Sequence, residues 1–75
     1  DSIPELSSNL IHSTILRYGI PSDAMHASDK LDILRSLDAQ GVFQTKGSIG
    51  RVAKELHISE PTVYRYLRRI RNEMA

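Results

Sequence analysis

The chain has 75 residues, 25% of them charged and a net charge of +1, which suits one small domain with a core that is marginal by itself. It contains no cysteine, so neither a disulfide framework nor a Cys-based zinc site holds it together. No apolar run approaches the roughly 20 residues a membrane span needs, and the acidic N-terminus lacks the apolar stretch of a signal peptide. The sequence begins at Asp1 rather than Met, so a fragment of a longer protein is expected. Charge is unevenly placed. Residues 1–43 hold six acids and three bases, a net of −3, and residues 44–75 hold seven bases and three acids, a net of +4. An acidic half joined to a basic half is the pattern of a one-faced polyanion binder.

Residues 4–18 read as a first helix, with Pro4 near its start and Gly19 after its end. Leu6, Leu10, Ile11, Ile15 and Tyr18 share a face that Leu16 extends. That stripe serves either packing within the domain or a dimer contact. His12 falls on the polar side with no second ligand three or four residues away, so it reads as a surface histidine. Residues 19–27 form a connector in which Ile20 and Met25 plug the core and His26 faces solvent. Ser28 is expected to cap a second helix through Gln40, with Asp29 and Asp32 near its positive end. Leu31, Leu34 and Leu37 face inward, with Ile33 on the flank. Gly41 is expected in a left-handed conformation at the helix end, Val42 packing back and Phe43 entering the core. Gln44 to Gly47 make a polar loop.

The stretch from Ser48 to Arg71 carries the functional signal. Ser48 is expected as an N-cap, and Val52 and Leu56 share one face of a short helix in which Ala53 is small enough for a close crossing. His57 occupies a turn that wants a left-handed residue, and Ile58 follows. Ser59 caps a second helix with Glu60 and Pro61 in its first turn. Val63, Tyr66, Leu67 and Ile70 then repeat at three- and four-residue intervals, completing one apolar seam shared by two crossing helices. This is the pattern of a helix-turn-helix over residues 48–71. The expected fold is a small all-α, four-helix domain. Only Asn72 to Ala75 follow, so no C-terminal wing is expected within this chain.

With the seam buried, the opposite face of the 59–71 helix carries Glu60, Pro61, Tyr64, Arg65 and Arg68, the candidates for base contacts. Arginine can hold guanine O6 and N7 with two hydrogen bonds, which singles out Arg65. Glu60 can accept from a cytosine amino group, and Pro61 and Tyr64 suit a thymine methyl. Lys46, Ser48, Arg51, Ser59, Thr62 and Arg69 flank that face as phosphate candidates, through side chains or helix-start N–H groups. Nothing pairs serine, histidine and acid at catalytic spacing, and no glycine-rich phosphate loop is present. The chain therefore reads as a binding domain without enzyme activity, cofactor or metal.

From Lys30 to Leu67 the run KLDILRSLDAQGVFQTKGSIGRVAKELHISEPTVYRYL resembles the C-terminal DNA-binding domain of the YheO-like regulators, bacterial transcription factors that include the D-arginine utilisation repressor. The preceding loop YGIPSDAMHASDK also fits the approach to that domain. The resemblance implies a cytoplasmic regulator with an N-terminal PAS-like sensor domain absent from this chain. The leading expectation is sequence-specific binding of double-stranded DNA by a homodimer joined through helix 4–18 or through the missing domain. A helical protein-interaction module, and the DNA-binding domain of a recombinase or transposase, are the alternatives.

Overall fold

Three connecting segments separate four helices among the described residues. The computed structural model describes residues 3–73 and contains α1 (Ile3–Tyr18), α2 (Ala27–Ala39), α3 (Ser48–Leu56) and α4 (Glu60–Glu73), with short 3₁₀ turns at Ser22–Ala24 and Val42–Gln44. The all-α expectation holds, and no strand occurs among the described residues. Met74 and Ala75 of the segment considered for a wing lie outside them. Gly41 ends α2 at φ 80°, and Gly47 precedes α3 at φ 80°. A side chain at either position would strain this left-handed backbone.

Both α1 and α4 pack on α2 and α3. The core between them joins Ile11 of α1, Leu31, Ile33, Leu34 and Leu37 of α2, Val52, Ala53 and Leu56 of α3, and Val63, Leu67 and Ile70 of α4. Met25 and Val42 close it from the connecting segments. Full burial of a leucine or isoleucine contributes about 1.5–3 kcal/mol. The leucines of α2 thus outweigh any single cap in holding the helices together. Ile33, expected on the flank, is as deeply buried as its neighbours, because α2 is covered from more than one side. Phe43, expected in the core, lies half-buried at its edge.

The start of α2 differs from the expectation. His26, not Ser28, is the N-cap, and Ser28 lies exposed within the first turn. The Asp29 carboxylate accepts the His26 backbone N–H at 2.9 Å, which stabilises an earlier start by reaching back to the cap. The inward face of α1 is also rotated. Ser7, Ile11 and Thr14 are buried, whereas Leu6 and Leu16 are 61% and 72% exposed. The polar groups tolerate burial because they are bonded: the Ser7 hydroxyl donates to Thr45 Oγ1 at 2.8 Å, and Thr14 Oγ1 accepts from the Gln40 amide at 3.1 Å.

Tyr18 ties the end of α1 to the start of α2. Its hydroxyl donates to Asp29 Oδ1 at 2.8 Å and lies 3.2 Å from Asp32 Oδ2. The hydrogen bond to Asp29 is the main cause that pushes the Tyr18 pKa up to about 12, and the His26 N–H, then the Tyr18 hydroxyl, hold Asp29 below the usual carboxylate value. A depressed carboxylate contributes stability that is present above its unfolded pKa and lost as pH falls through its folded one. The raised tyrosine contributes stability present below its unfolded pKa and lost as pH rises through about 12. Tyr18→Phe should therefore lower Tm at neutral pH, and the gap from the unmodified chain should shrink as Asp29 is protonated in acid. Thermal melts followed by circular dichroism across pH check this.

Candidate nucleic-acid interface

The geometry of the basic face starts at a turn. α3 ends at His57, whose backbone is left-handed at φ 58°, ψ 43°, as the sequence requires. This lets the Ile58 N–H return to the Ala53 carbonyl at 3.0 Å, satisfying the helix end while the chain reverses. Two groups from the α1–α2 connector brace the turn: the Ser22 hydroxyl donates to the Glu55 carbonyl at 2.8 Å, and His57 Nδ1 lies 3.3 Å from Asp23 Oδ1. Ser59 then caps α4, accepting the Thr62 N–H on its hydroxyl at 3.3 Å and the Val63 N–H on its carbonyl at 3.1 Å.

Val63, Leu67 and Ile70 bury one side of α4, and Tyr66 is half-buried beside them. Glu60, Pro61, Tyr64, Arg65 and Arg68 are all exposed. The five base-contact candidates are therefore free at the surface, four of them on the side facing away from the core. Glu60 is set apart. A Cβ added at Gly50 would come 3.1 Å from Glu60 Oε2, so its carboxylate lies back against α3 over a residue with no side chain. The Arg65 guanidinium donates to Thr62 Oγ1 at 3.1 Å, and Thr62 Oγ1 lies 2.9 Å from the Ser59 hydroxyl. These contacts join three of the candidates along the helix start.

The far end of α4 behaves differently. Arg71 pairs with Asp38 at 3.2 Å, and Glu73 takes the Arg35 guanidinium at 2.9 Å, with Arg69 3.8 Å away. The Glu73 hydrogen bond holds the Arg35 guanidinium above its ordinary pKa. Arg69, a phosphate candidate, is thus turned towards a carboxylate, whereas Arg65 and Arg68 form no ion pair among the described residues.

Lys46 is exposed in the loop before α3, and Arg51 is exposed on α3. Arg51 shares a shallow cleft of about 440 Å³ with Ser8, Gly47, Gly50, Lys54 and Glu55. Lys54 was not among the sequence candidates, although its spacing of three from Arg51 sets it on the same helix face. Ser48 is a correction. Gly47 occupies the N-cap position in a left-handed conformation, and Ser48 becomes the first helical residue. Its N–H points to the Thr45 carbonyl at 3.4 Å, and its hydroxyl is buried without a hydrogen-bond partner. Ser48 thus neither caps α3 through its side chain nor offers its hydroxyl to a phosphate.

A family model described as an HTH (helix-turn-helix) domain matches residues 6–68. The chain belongs to this family of HTH domains. The match takes in α2, α3 and most of α1 and α4, so the helix pair and its supports fall in one family unit. The HTH domain is also 33% identical, over 73 residues, to an uncharacterized protein of Haemophilus influenzae. The aligned region is 97% of this chain and 33% of the relative, so the chain spans about one third of that relative's length. No solved structure matches. No helix of the described residues is long and apolar enough to cross a membrane, and no group of three or more metal-ligating side chains occurs among them.

The orphaned Ser48 hydroxyl gives a direct test of the α3 start. Losing a true N-cap costs about 1 kcal/mol, whereas removing an unsatisfied buried hydroxyl is neutral or stabilising by up to about 1 kcal/mol. Ser48→Ala should leave the urea midpoint unchanged or raise it.

Proposed function

We propose that this HTH domain binds double-stranded DNA sequence-specifically within a bacterial transcriptional regulator, α4 entering the major groove and α3 lying across it. The observation that carries the reading is the division of the arginines of α4. Arg65 and Arg68 stand unpaired by carboxylates on the exposed face with Pro61 and Tyr64, while Arg69 and Arg71 at the far end face Glu73 and Asp38. The N-terminal half of a recognition helix is the part that reaches base edges; Arg65 lies in that half, and Arg68 follows one turn later on the same exposed face. Membership of the HTH family supports DNA as the partner. The bacterial relative, three times as long as the aligned region, and the YheO-like pattern support a larger cytoplasmic protein with a sensor domain outside this chain.

In this arrangement Arg65 reads a guanine edge, with Tyr64, Pro61 and Arg68 beside it. Lys46 and Arg51 take phosphates on the flank, joined by Ser59 and Thr62 at the start of α4. Glu60 lies against Gly50 at the border of the groove-facing surface, where it repels a misplaced phosphate and can meet a cytosine amino group.

Two substitutions separate the roles. Arg65→Ala should lose about 1–3 kcal/mol of discrimination for the preferred site with a smaller effect on random duplex. Lys46→Ala should weaken both alike and reduce the slope of log affinity against log salt by about one. Fluorescence anisotropy titrations on selected and random duplexes measure both quantities. Equal losses on the two DNAs from both variants would contradict this assignment.

A further inference from the structure

The outer side of α1 presents a surface that the domain itself leaves uncovered. Leu6, Asn9, Ser13 and Leu16 follow one another at intervals of three, four and three, the spacing of the seam between two paired helices. None of the four is charged. Leu6 and Leu16 are 61% and 72% exposed, the largest such values among the large hydrophobic side chains of the described residues. Asn9 is exposed, and the Ser13 hydroxyl bends back to donate to the Leu10 carbonyl at 3.2 Å, leaving a small, smooth position in mid-helix. This stripe lies on the side of α1 away from Ser7, Ile11 and Thr14, which face the core.

The stripe is complementary to itself when read in reverse. An antiparallel pair of α1 helices whose two-fold axis lies level with position 11 sets Leu6 opposite Leu16 of the second copy, and Asn9 opposite Ser13. Apolar meets apolar and polar meets polar, twice each, as an isologous interface requires. Leu16 also walls a shallow, mainly apolar cleft of about 310 Å³ formed with Ile15, Gly19, Ile20 and Pro21, beside which Leu6 of the second copy would lie. We propose that two copies of this chain associate through α1 in that register.

The stripe and the exposed face of α4 lie on helices that do not pack extensively on each other, and α1 borders the Arg51 cleft through Ser8, which is not part of the stripe. The domain measures 33 × 29 × 20 Å, comparable with the roughly 34 Å between half-sites one helical turn apart. One helix pair with two leucine contacts is smaller than the roughly 1,200–2,000 Å² of a standard interface. The isolated chain should therefore dimerise weakly, and the contact is best trapped covalently. The role on a two-fold site rests on the DNA-binding reading; the surface itself does not.

The absence of native cysteine makes the trap clean. Asn9→Cys and Ser13→Cys are prepared separately, mixed at high concentration and oxidised. In the proposed register positions 9 and 13 face each other, whereas two copies of position 9 are offset by about 6 Å along the helices, beyond disulfide reach once the separation of the helices is added. The mixture should give the mixed disulfide in roughly tenfold excess over either like pair, as the geometric limit on disulfides demands. Adding Leu16→Glu to both should abolish it, with the circular dichroism spectrum unchanged because that side chain is exposed. No mixed disulfide, like pairs in comparable amounts, or a mixed disulfide indifferent to Leu16→Glu would overturn the proposal. Binding of the unmodified chain to random duplex DNA, measured in parallel, tests the other reading. DNA binding without the mixed disulfide overturns the α1 contact alone, and the disulfide without DNA binding overturns the DNA reading alone.

Discussion

The left-handed turn at His57 is the constraint on which the exposed face of α4 depends. With φ at 58°, the chain leaves α3, returns one N–H to Ala53 and enters α4 after only two more residues. A histidine in this conformation carries strain that glycine would avoid. The burial of Leu56 below the turn and the Ser22 hydrogen bond to the Glu55 carbonyl offset it. Once the turn is set, Val63, Leu67 and Ile70 have one place to go, the space above α2 and α3. Arg65 and Arg68 face outward as a consequence.

Electrostatics then separates the two ends of α4. Asp38 and the Arg35–Glu73 pair tether the C-terminal half of the helix to α2. Such exposed pairs stabilise weakly, typically by less than about 1 kcal/mol, so their effect is better understood as positional. They keep Arg71 beside α2, while Arg69 lies 3.8 Å from Glu73 of its own helix. The cations at the helix start have no carboxylate partner among the described residues, although Glu60 lies close by over Gly50. The cations of residues 44–75 that form no ion pair among the described residues are thus Lys46, Arg51 and Lys54 before and on α3, with Arg65 and Arg68 on α4.

Much of this was legible in the residues. The apolar intervals in α3 and α4 place those helices and the buried seam because each is one-sided, whereas α2 is apolar on more than one side and is covered by both α1 and α4. The left-handed positions at Gly41 and His57 and the Ser59 cap follow from local backbone chemistry. α1 was less legible because apolar residues run around much of its surface. Ser7 and Thr14 could take core positions once Thr45 and Gln40 supplied hydrogen-bond partners from distant segments, and no local pattern shows this. The two misplaced caps have different causes. Ser28 and Ser48 are good capping residues, but the Asp29 carboxylate extends one helix backwards and the left-handed Gly47 takes the cap position of the other. At the interface, periodicity identifies the exposed face of α4, while the pairing of Arg71 with Asp38 joins residues 33 apart and is invisible in the local sequence.

The proposed mode of binding requires α4 to meet the duplex with its exposed face, from Ser59 to Arg68. Amide chemical-shift mapping by two-dimensional NMR of the chain, titrated with duplex DNA at low salt, tests this most directly. The shifts should concentrate on residues 59–68 and on the segment from Lys46 through the first turn of α3 to Arg51, and leave the body of α2 unmoved. Shifts centred on α1 or α2, or none at any DNA concentration, would contradict it.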